Sequence, residues 1–165
     1  GNVIGGGDWS EDRLIPDCFK NWKNKKKVII RNPLSTRPWQ NVIDVINGYT
    51  TLAINLEKKA SLHGEAFNFG PSSNKVMSVK KILILLKKIW PKFRWKVALQ
   101  KNKYFENKLL SLNSKKAKKI LNWKPKINNY RNIEMTGNWY KEYLLNKKKI
   151  VSLSLKYIKI IDKKI

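Results

Sequence analysis

The chain has 165 residues, of which 42% are hydrophobic and 28% are charged, as expected for one ordinary folded domain. No run of about 18 apolar residues is present, which predicts no transmembrane helix, and no signal-peptide pattern is visible. The only cysteine, Cys18, excludes an internal disulfide framework, so we expect a cytoplasmic protein and a small buried thiol. The net charge of +25 comes mainly from lysines in every segment, which favours a solvated surface over a specific nucleic-acid site.

The first predicted elements follow a glycine loop at residues 5–7. Three consecutive glycines let a backbone approach a ligand closely, and such a loop normally follows a strand. Residues 13–23 form the first predicted helix, in which Pro16 is tolerated because it lies in the first turn. The apolar residues 28–30 form a short buried strand that ends at the turn signal of residues 31–33.

The middle of the chain alternates between helix and strand patterns. Residues 42–56 carry apolar side chains at helical spacing, which predicts a core-facing helix. Residues 66–69 are predicted as a strand closed by a Gly-Pro turn. Ser78 can cap the next helix, which Pro91 ends.

The last third continues this alternation. Residues 94–99 and 109–112 are predicted strands, and Ser114 caps a short helix that ends near residue 121. A final helix is predicted over residues 129–145. The lysine-rich residues 146–165 contain a period-two stretch, so we expect an edge strand or a poorly ordered tail. Alternating helices and short strands predict an α/β or α+β fold.

Three arginines are the strongest candidate site residues from the sequence alone. Arg13, Arg31 and Arg37 stand in or beside predicted loops of a chain that uses lysine almost everywhere else. A guanidinium offers a planar fork of donors that binds phosphate bidentately, which a lysine does not. The alternative is that each arginine is a surface residue packing its stem on Trp9 or Trp39.

Other chemistry is poorly supported by the sequence. His63 is the only histidine and lies in a predicted turn, so we expect a solvent-facing residue and no metal site. No dinucleotide fingerprint G-x-G-x-x-G and no phosphate loop G-x-x-x-x-G-K-[ST] is present.

Four segments together carry a family resemblance. The segments GNVIGGGDWSEDRLIPD, IIRNPLSTRPWQNV, AFNFGP and LNSKKAKKILNWKP occur in this order and at similar spacings in CDP-glucose 4,6-dehydratases. Those enzymes are extended short-chain dehydrogenase/reductases, related to dTDP-glucose dehydratases and UDP-sugar epimerases. The resemblance covers residues 1–145 and leaves residues 146–165 as a tail without a counterpart.

The resemblance implies a fold and an activity. The fold would be α/β, the C-terminal substrate-binding part of an extended Rossmann-type NAD-dependent epimerase/dehydratase. The N-terminal Rossmann half, with the NAD loop and a catalytic Tyr-x-x-x-Lys pair, would be missing or a separate partner, so we expect this chain alone to be inactive. The complete enzyme would convert CDP-glucose to CDP-4-dehydro-6-deoxyglucose through transient oxidation of C4 by NAD. It would be a cytoplasmic homo-oligomer in deoxysugar and O-antigen synthesis, with no membrane partner and no specific nucleic-acid partner.

The resemblance also implies the residues that contact the CDP-sugar. They are Asn2, Asp12, Arg13, Leu14, Arg31, Asn32, Pro33, Arg37, Asn68, Glu106 and Lys108. Asn2 would also contact the cofactor, residues 31–33 would hold the base, and Arg37 would face the diphosphate. The segment around Glu106 and Lys108 departs from the family pattern, and Asn113 replaces the family's aspartate.

Two alternatives stay open from the sequence. The first is a catalytically inactive remnant that acts as a basic binding module on nucleic acid or a membrane surface. The second is a related nucleotide-sugar epimerase or dehydratase that uses another nucleotide.

Overall fold

The computed structural model of the chain describes residues 2–71, 76–98 and 110–162. Within them, short strands alternate with longer helices. The strands are β1 (Asn2–Ile4), β2 (Val28–Ile30), β3 (Thr36–Arg37), β4 (Trp39–Asn41), β5 (Met77–Ser78) and β6 (Trp95–Val97). The helices are α1 (Leu14–Lys23), α2 (Val42–Lys58), α3 (Val79–Ile89), α4 (Lys115–Leu121), α5 (Asn129–Leu145) and α6 (Ile150–Asp162).

The described strands form three pairs. β1 pairs in parallel with β4, and β2 pairs in parallel with β6. β3 and β5 pair antiparallel, with Arg37 opposite Met77. Because parallel neighbours need long crossover connections, each parallel pair joins distant parts of the sequence, such as Val28 and Trp95.

Helix α2 begins directly where β4 ends. The Asn41 side chain accepts the backbone N–H of Ile43 at 2.9 Å, which caps the helix. One turn on, the buried Asp44 carboxylate accepts the backbone N–H groups of Lys126 and Ile127 at 2.9 and 3.0 Å. These bonds fasten the segment before α5 to the start of α2.

The main core lies between α1, α3 and α5. Phe19 stacks on Tyr140 at 4.6 Å between ring centroids, and Trp22 contacts Phe93 edge-on at 3.9 Å. A smaller cluster joins α2 and α4. Its buried residues are Leu62, Phe69, Ala117, Leu121 and Trp123. Cys18 is fully buried in the main core, as predicted, and burial raises the pKa of its thiol.

Most predicted helices are confirmed. α1, α2, α3, α4 and α5 lie within about two residues of their predicted bounds, a normal uncertainty for helix ends. Ser78 caps α3 as predicted, because its hydroxyl accepts the Lys81 N–H at 3.3 Å. At the start of α4 the prediction was wrong in detail: Ser114 occupies the cap position, but Asn113 accepts the first amide, from Lys115.

Two strand predictions were wrong. Residues 66–69 are extended but pair with no strand in the part of the chain that the structure describes. Residues 110–112 are likewise irregular, and residue 109 lies outside the described ranges. Phe69 is instead held by side-chain packing, edge-on to Trp123 at 4.9 Å. An apolar run can therefore be fixed by the core without a hydrogen-bonded neighbour.

The prediction of an edge strand or poorly ordered tail after residue 146 was also wrong. A 3-10 turn at Lys147–Lys149 leads into α6. Ile150, Leu153 and Tyr157 pack against the main core at spacings of three and four, the spacing of one helix face. The short period-two stretch is contained within this longer helical pattern, and the core selects the helix.

Candidate functional site

A cleft of about 1030 Å³ lies beside β1, β2, β6 and the start of α1. It contains seven of the predicted substrate-binding residues. They are Asn2, Asp12, Arg13, Leu14, Arg31, Asn32 and Arg37. These side chains come from several elements and loops between residues 2 and 37. The fold therefore places residues that the sequence predicted separately around one cleft.

The glycine loop after β1 is packed against α5. A Cβ on Gly6 would lie 2.1 Å from the Trp139 indole, so only glycine fits there, and Gly7 has a φ of +90°. The Tyr140 hydroxyl donates to the Asp8 carbonyl from the same side. Gly6 therefore serves close packing against α5.

The segment between the glycine loop and α1 forms one rim of the cleft. Asp8 accepts the Ser10 N–H at 3.0 Å and the Arg13 guanidinium at 3.4 Å. Burial alone would raise the pKa of Asp8, but the Ser10 bonds and the charges of Arg13 and Lys20 outweigh it, so that pKa lies below its ordinary value. Arg13 forms an ion pair with Asp8 here, and 57% of its side chain stays exposed.

Asp17 faces the same cleft from the first turn of α1. Burial raises its pKa, and the nearby charges of Asp12 and Glu11 add to the increase against the opposing charge of Lys20. Asp12 adopts a left-handed backbone conformation with φ of 57°, which turns the chain into the helix. This part of the cleft lining is therefore acidic.

The part of the cleft lining that β2 and β6 supply is basic and partly apolar. Arg31 lies exposed just after β2, and Lys96 lies exposed on β6. Beside them, Ile29 and Val97 are 59% and 49% exposed. This surface combines cations with exposed aliphatic side chains, a combination suited to an anionic ligand with an apolar face.

Trp39 closes the floor of the cleft near Arg37. Its indole is buried and donates to the Met77 carbonyl at 2.8 Å. Arg37 is half-buried on β3, and one of its N–H groups donates to the Thr36 carbonyl at 2.8 Å. The β3–β5 pair thus fixes both side chains at the cleft wall.

Two predicted site residues that the structure describes do not line this cleft. Pro33 and Asn68 do not line it, and Asn68 is exposed beside the smaller core cluster. Glu106 and Lys108 lie outside the described residues. Sequence reasoning missed several lining residues: Asp8, Asp17, Ile29, Lys96 and Val97. Ile29 carried a weak signal, since a central strand residue flanked by buried neighbours points to the other face.

The sequence contains the Tyr-x-x-x-Lys spacing twice, which corrects the expectation that no such pair stands in this chain. Tyr104 and Lys108 lie outside the described residues. The Tyr143 ring contacts Trp9 and Trp139 at 5.0 and 5.3 Å, and the Lys147 ammonium lies 4.9 Å from its centroid. Neither Tyr143 nor Lys147 lines the cleft, so this second pair has a packing role.

The described part of the chain holds no cluster of metal-ligating side chains and no helix that could cross a membrane. The cleft donors suit anionic groups, and Asn2, the residue predicted to touch the cofactor, lies on β1 and lines the cleft.

Solved structures share the fold of this chain. UDP-glucuronic acid 4-epimerase from Bacillus cereus, solved with UDP-glucuronic acid and NAD, matches 86% of this chain and 43% of its own with a TM-score of 0.71 and 23% identity. An epimerase from Methanothermobacter thermautotrophicus matches 90% of this chain and 43% of its own with a TM-score of 0.74 and 22% identity. The chain therefore has the predicted α/β fold of the C-terminal part of Rossmann-type NAD-dependent epimerases and dehydratases.

A curated sequence gives a more particular relationship. CDP-glucose 4,6-dehydratase of Salmonella typhimurium is 35% identical over 144 residues, which cover 87% of this chain and 40% of that protein. This similarity confirms the predicted resemblance to CDP-glucose 4,6-dehydratases. The chain spans about 40% of the length of this curated relative. No protein-family profile matches the chain.

Proposed function

We propose that the cleft binds a nucleotide sugar and that the chain is the substrate-binding part of a CDP-glucose 4,6-dehydratase. The main support for the proposal is that Arg13, Arg31 and Arg37 line one cleft. Nearly all other cations of the chain are lysines. A diphosphate is the densest charge on a nucleotide sugar, and arginine binds it with charge-assisted, bidentate hydrogen bonds.

Two parts of the cleft lining suggest how such a ligand lies. The basic and aliphatic part, with Arg31, Ile29 and Val97, suits a base and ribose followed by phosphate. The acidic part, with Asp12 and Asp17, suits the hydroxyl groups of a hexose, which donate hydrogen bonds to carboxylates. Arg37, on the β3 wall, would meet the diphosphate.

We propose the reaction for the whole enzyme, of which this chain would be one part. The conversion would be CDP-glucose to CDP-4-dehydro-6-deoxyglucose, with NAD as transient oxidant and a homo-oligomeric, cytoplasmic enzyme in deoxysugar and O-antigen synthesis. The residues of this chain would bind and orient the substrate. We therefore expect the 165-residue chain, incubated with CDP-glucose and NAD, to form no 4-keto sugar above background.

Calorimetric titration of the 165-residue chain tests the binding step. We expect CDP-glucose to bind more tightly than glucose 1-phosphate, and Arg31→Ala to weaken CDP-glucose binding by about one to two powers of ten. Arg94→Ala is the matched control, since Arg94 is exposed, bonds the Pro91 carbonyl and lies outside the cleft. Absence of binding by every nucleotide sugar, or equal losses in both variants, would contradict the proposal.

A second candidate is a related enzyme that uses another nucleotide. The solved Bacillus cereus relative holds UDP-glucuronic acid, so a uridine nucleotide is the natural competitor. Titration with UDP-glucose beside CDP-glucose separates the two, because a preference for UDP-glucose would keep the nucleotide-sugar site and replace the cytidine assignment.

A further inference from the structure

Helix α6 has a second apolar surface besides the side that packs on the core. Its residues are Val151, Leu155 and Ile158, here called the α6 stripe, and they are 70%, 51% and 43% exposed. Their spacing of four and three places them on one side of the helix. Three exposed aliphatic side chains on one side of a helix form a candidate interaction surface.

Lysines are frequent in α6 and in the turn before it. Exposed lysines occupy the turn before α6 and two positions on the helix: Lys147, Lys148, Lys149, Lys156 and Lys159. The sequence continues with two more lysines, at 163 and 164, and Asp162 is the one acidic residue after Glu142. The cations of this region are all lysines, because the last arginine of the chain is Arg131. The partner of the stripe must therefore be anionic.

The combination of side chains distinguishes between anionic partners. A second copy of the chain is disfavoured, because its own lysines would be brought against these at a net charge of +25 each. A nucleic acid would use the lysines but not an aliphatic stripe. A protein partner would typically meet aromatic residues and arginine, which the stripe lacks. Aliphatic side chains flanked by lysine are typical of helices that lie in the surface of an anionic bilayer.

We propose that α6 is a surface anchor that inserts the α6 stripe into an anionic lipid surface, with the lysines of α6 and of the turn before it on the headgroups. The helix is joined to the rest of the protein, since Trp139 donates to the Ser154 hydroxyl at 3.0 Å and Ile150, Leu153 and Tyr157 pack on the core. Binding through α6 would therefore hold the whole protein at the membrane. This inference does not depend on the proposed enzymatic function, and it departs from the expectation of no membrane partner.

Vesicle co-sedimentation of the 165-residue chain tests the proposal. We expect the chain to bind phosphatidylcholine vesicles containing about 30% phosphatidylserine at least about tenfold more tightly than pure phosphatidylcholine vesicles. No binding to the anionic vesicles near physiological salt would overturn the proposal.

Two triple variants distinguish the contribution of the α6 stripe to lipid binding from the attraction due to net charge. The test variant replaces the three stripe residues: Val151→Ser, Leu155→Ser and Ile158→Ser. The control variant replaces three exposed apolar residues elsewhere: Leu34→Ser, Ile46→Ser and Ile54→Ser, which are 76%, 56% and 47% exposed. Both keep the charge of the chain. We expect the test variant to lose about tenfold or more in affinity for anionic vesicles and the control to bind like the wild type.

Other results of the vesicle-binding experiment would overturn the proposal. Equal binding by test variant and wild type, or equal losses in both variants, would show that only the net charge attracts the lipid and would overturn the proposal. Near-ultraviolet circular dichroism checks the fold of each variant. If the triple variant unfolds, Leu155→Ser alone should still reduce the affinity about threefold. A single variant that binds unchanged would overturn the proposal as well.

Discussion

Arg37 is the residue on which the proposed diphosphate contact most depends. A charge-assisted bond to phosphate contributes on the order of 1.5 to 3 kcal/mol, so Arg37→Ala should weaken CDP-glucose binding by about one to two powers of ten. Arg37→Lys should recover only part of this loss, because an ammonium keeps the charge but not the fork. Calorimetric titration measures both variants.

The same titration can exclude Arg37 from the proposed site. If Arg37 is only a wall residue beside Trp39, both variants will bind CDP-glucose normally and Arg37→Ala will show only a small loss of stability. Arg94→Ala serves again as the control for loss of one exposed cation from the same chain.

Asp44 is the buried carboxylate that connects α2 to the segment before α5. Desolvation by burial raises its pKa, against the lowering effect of the Lys126 and Ile127 amides. The folded state therefore holds the proton more tightly than the unfolded state. The contribution of Asp44 to stability should be full below the ordinary aspartate pKa and should fall as the pH rises from that value through the raised folded pKa.

Asp44→Asn should remove this pH dependence and destabilise the fold by about 1 to 3 kcal/mol, because its amide cannot accept both backbone N–H groups. Urea unfolding of wild type and variant across the acidic range measures the difference. Glu57→Gln, an exposed acid on the same helix, is the control and should change little. A difference between Asp44→Asn and wild type that is constant with pH would contradict the assignment.

At the scale of elements, periodicity predicted the long helices but not the short strands. α2 and α5 each have 17 residues, enough for several repeats of a 3.6-residue pattern. The strands have two or three residues, too few to show a period of two, so β3, β4 and β5 were not predicted. α6 was missed because its apolar residues lie on two sides, one on the core and one in solvent.

The docking of α6 on α5 is testable at one hydrogen bond. The Ser154 hydroxyl accepts the Trp139 N–H, so Ser154→Ala should leave a part-buried indole donor unpaired and cost about 0.5 to 1.5 kcal/mol of unfolding free energy. Ser152→Ala changes the same residue type on the same helix, where the hydroxyl is exposed and donates to the Lys149 carbonyl in the turn just before α6. Thermal unfolding that shows equal losses for the two variants would contradict a docked α6.

At the scale of the whole molecule, the sequence predicted only those cleft residues that differ chemically from the rest of the chain. The arginines could be predicted as site residues because arginine is rare in this chain, and their neighbours in the sequence were predicted along with them. Lys96 could not be found, since it resembles every other lysine until the β2–β6 pairing sets it beside Ile29. Asp8 and Asp17 could not be found either, because nothing in the sequence distinguishes them from other acidic residues until the fold places them on the cleft.

The net charge of +25 gives the last prediction. Lysines spread over the whole surface attract duplex DNA by releasing its counterions, without any contact to the bases. We therefore expect weak binding that falls by about three powers of ten or more between about 50 and 200 mM salt and does not depend on sequence. Fluorescence anisotropy with two unrelated duplexes at several salt concentrations measures this. Submicromolar, sequence-dependent binding at about 150 mM salt would instead favour a specific nucleic-acid module.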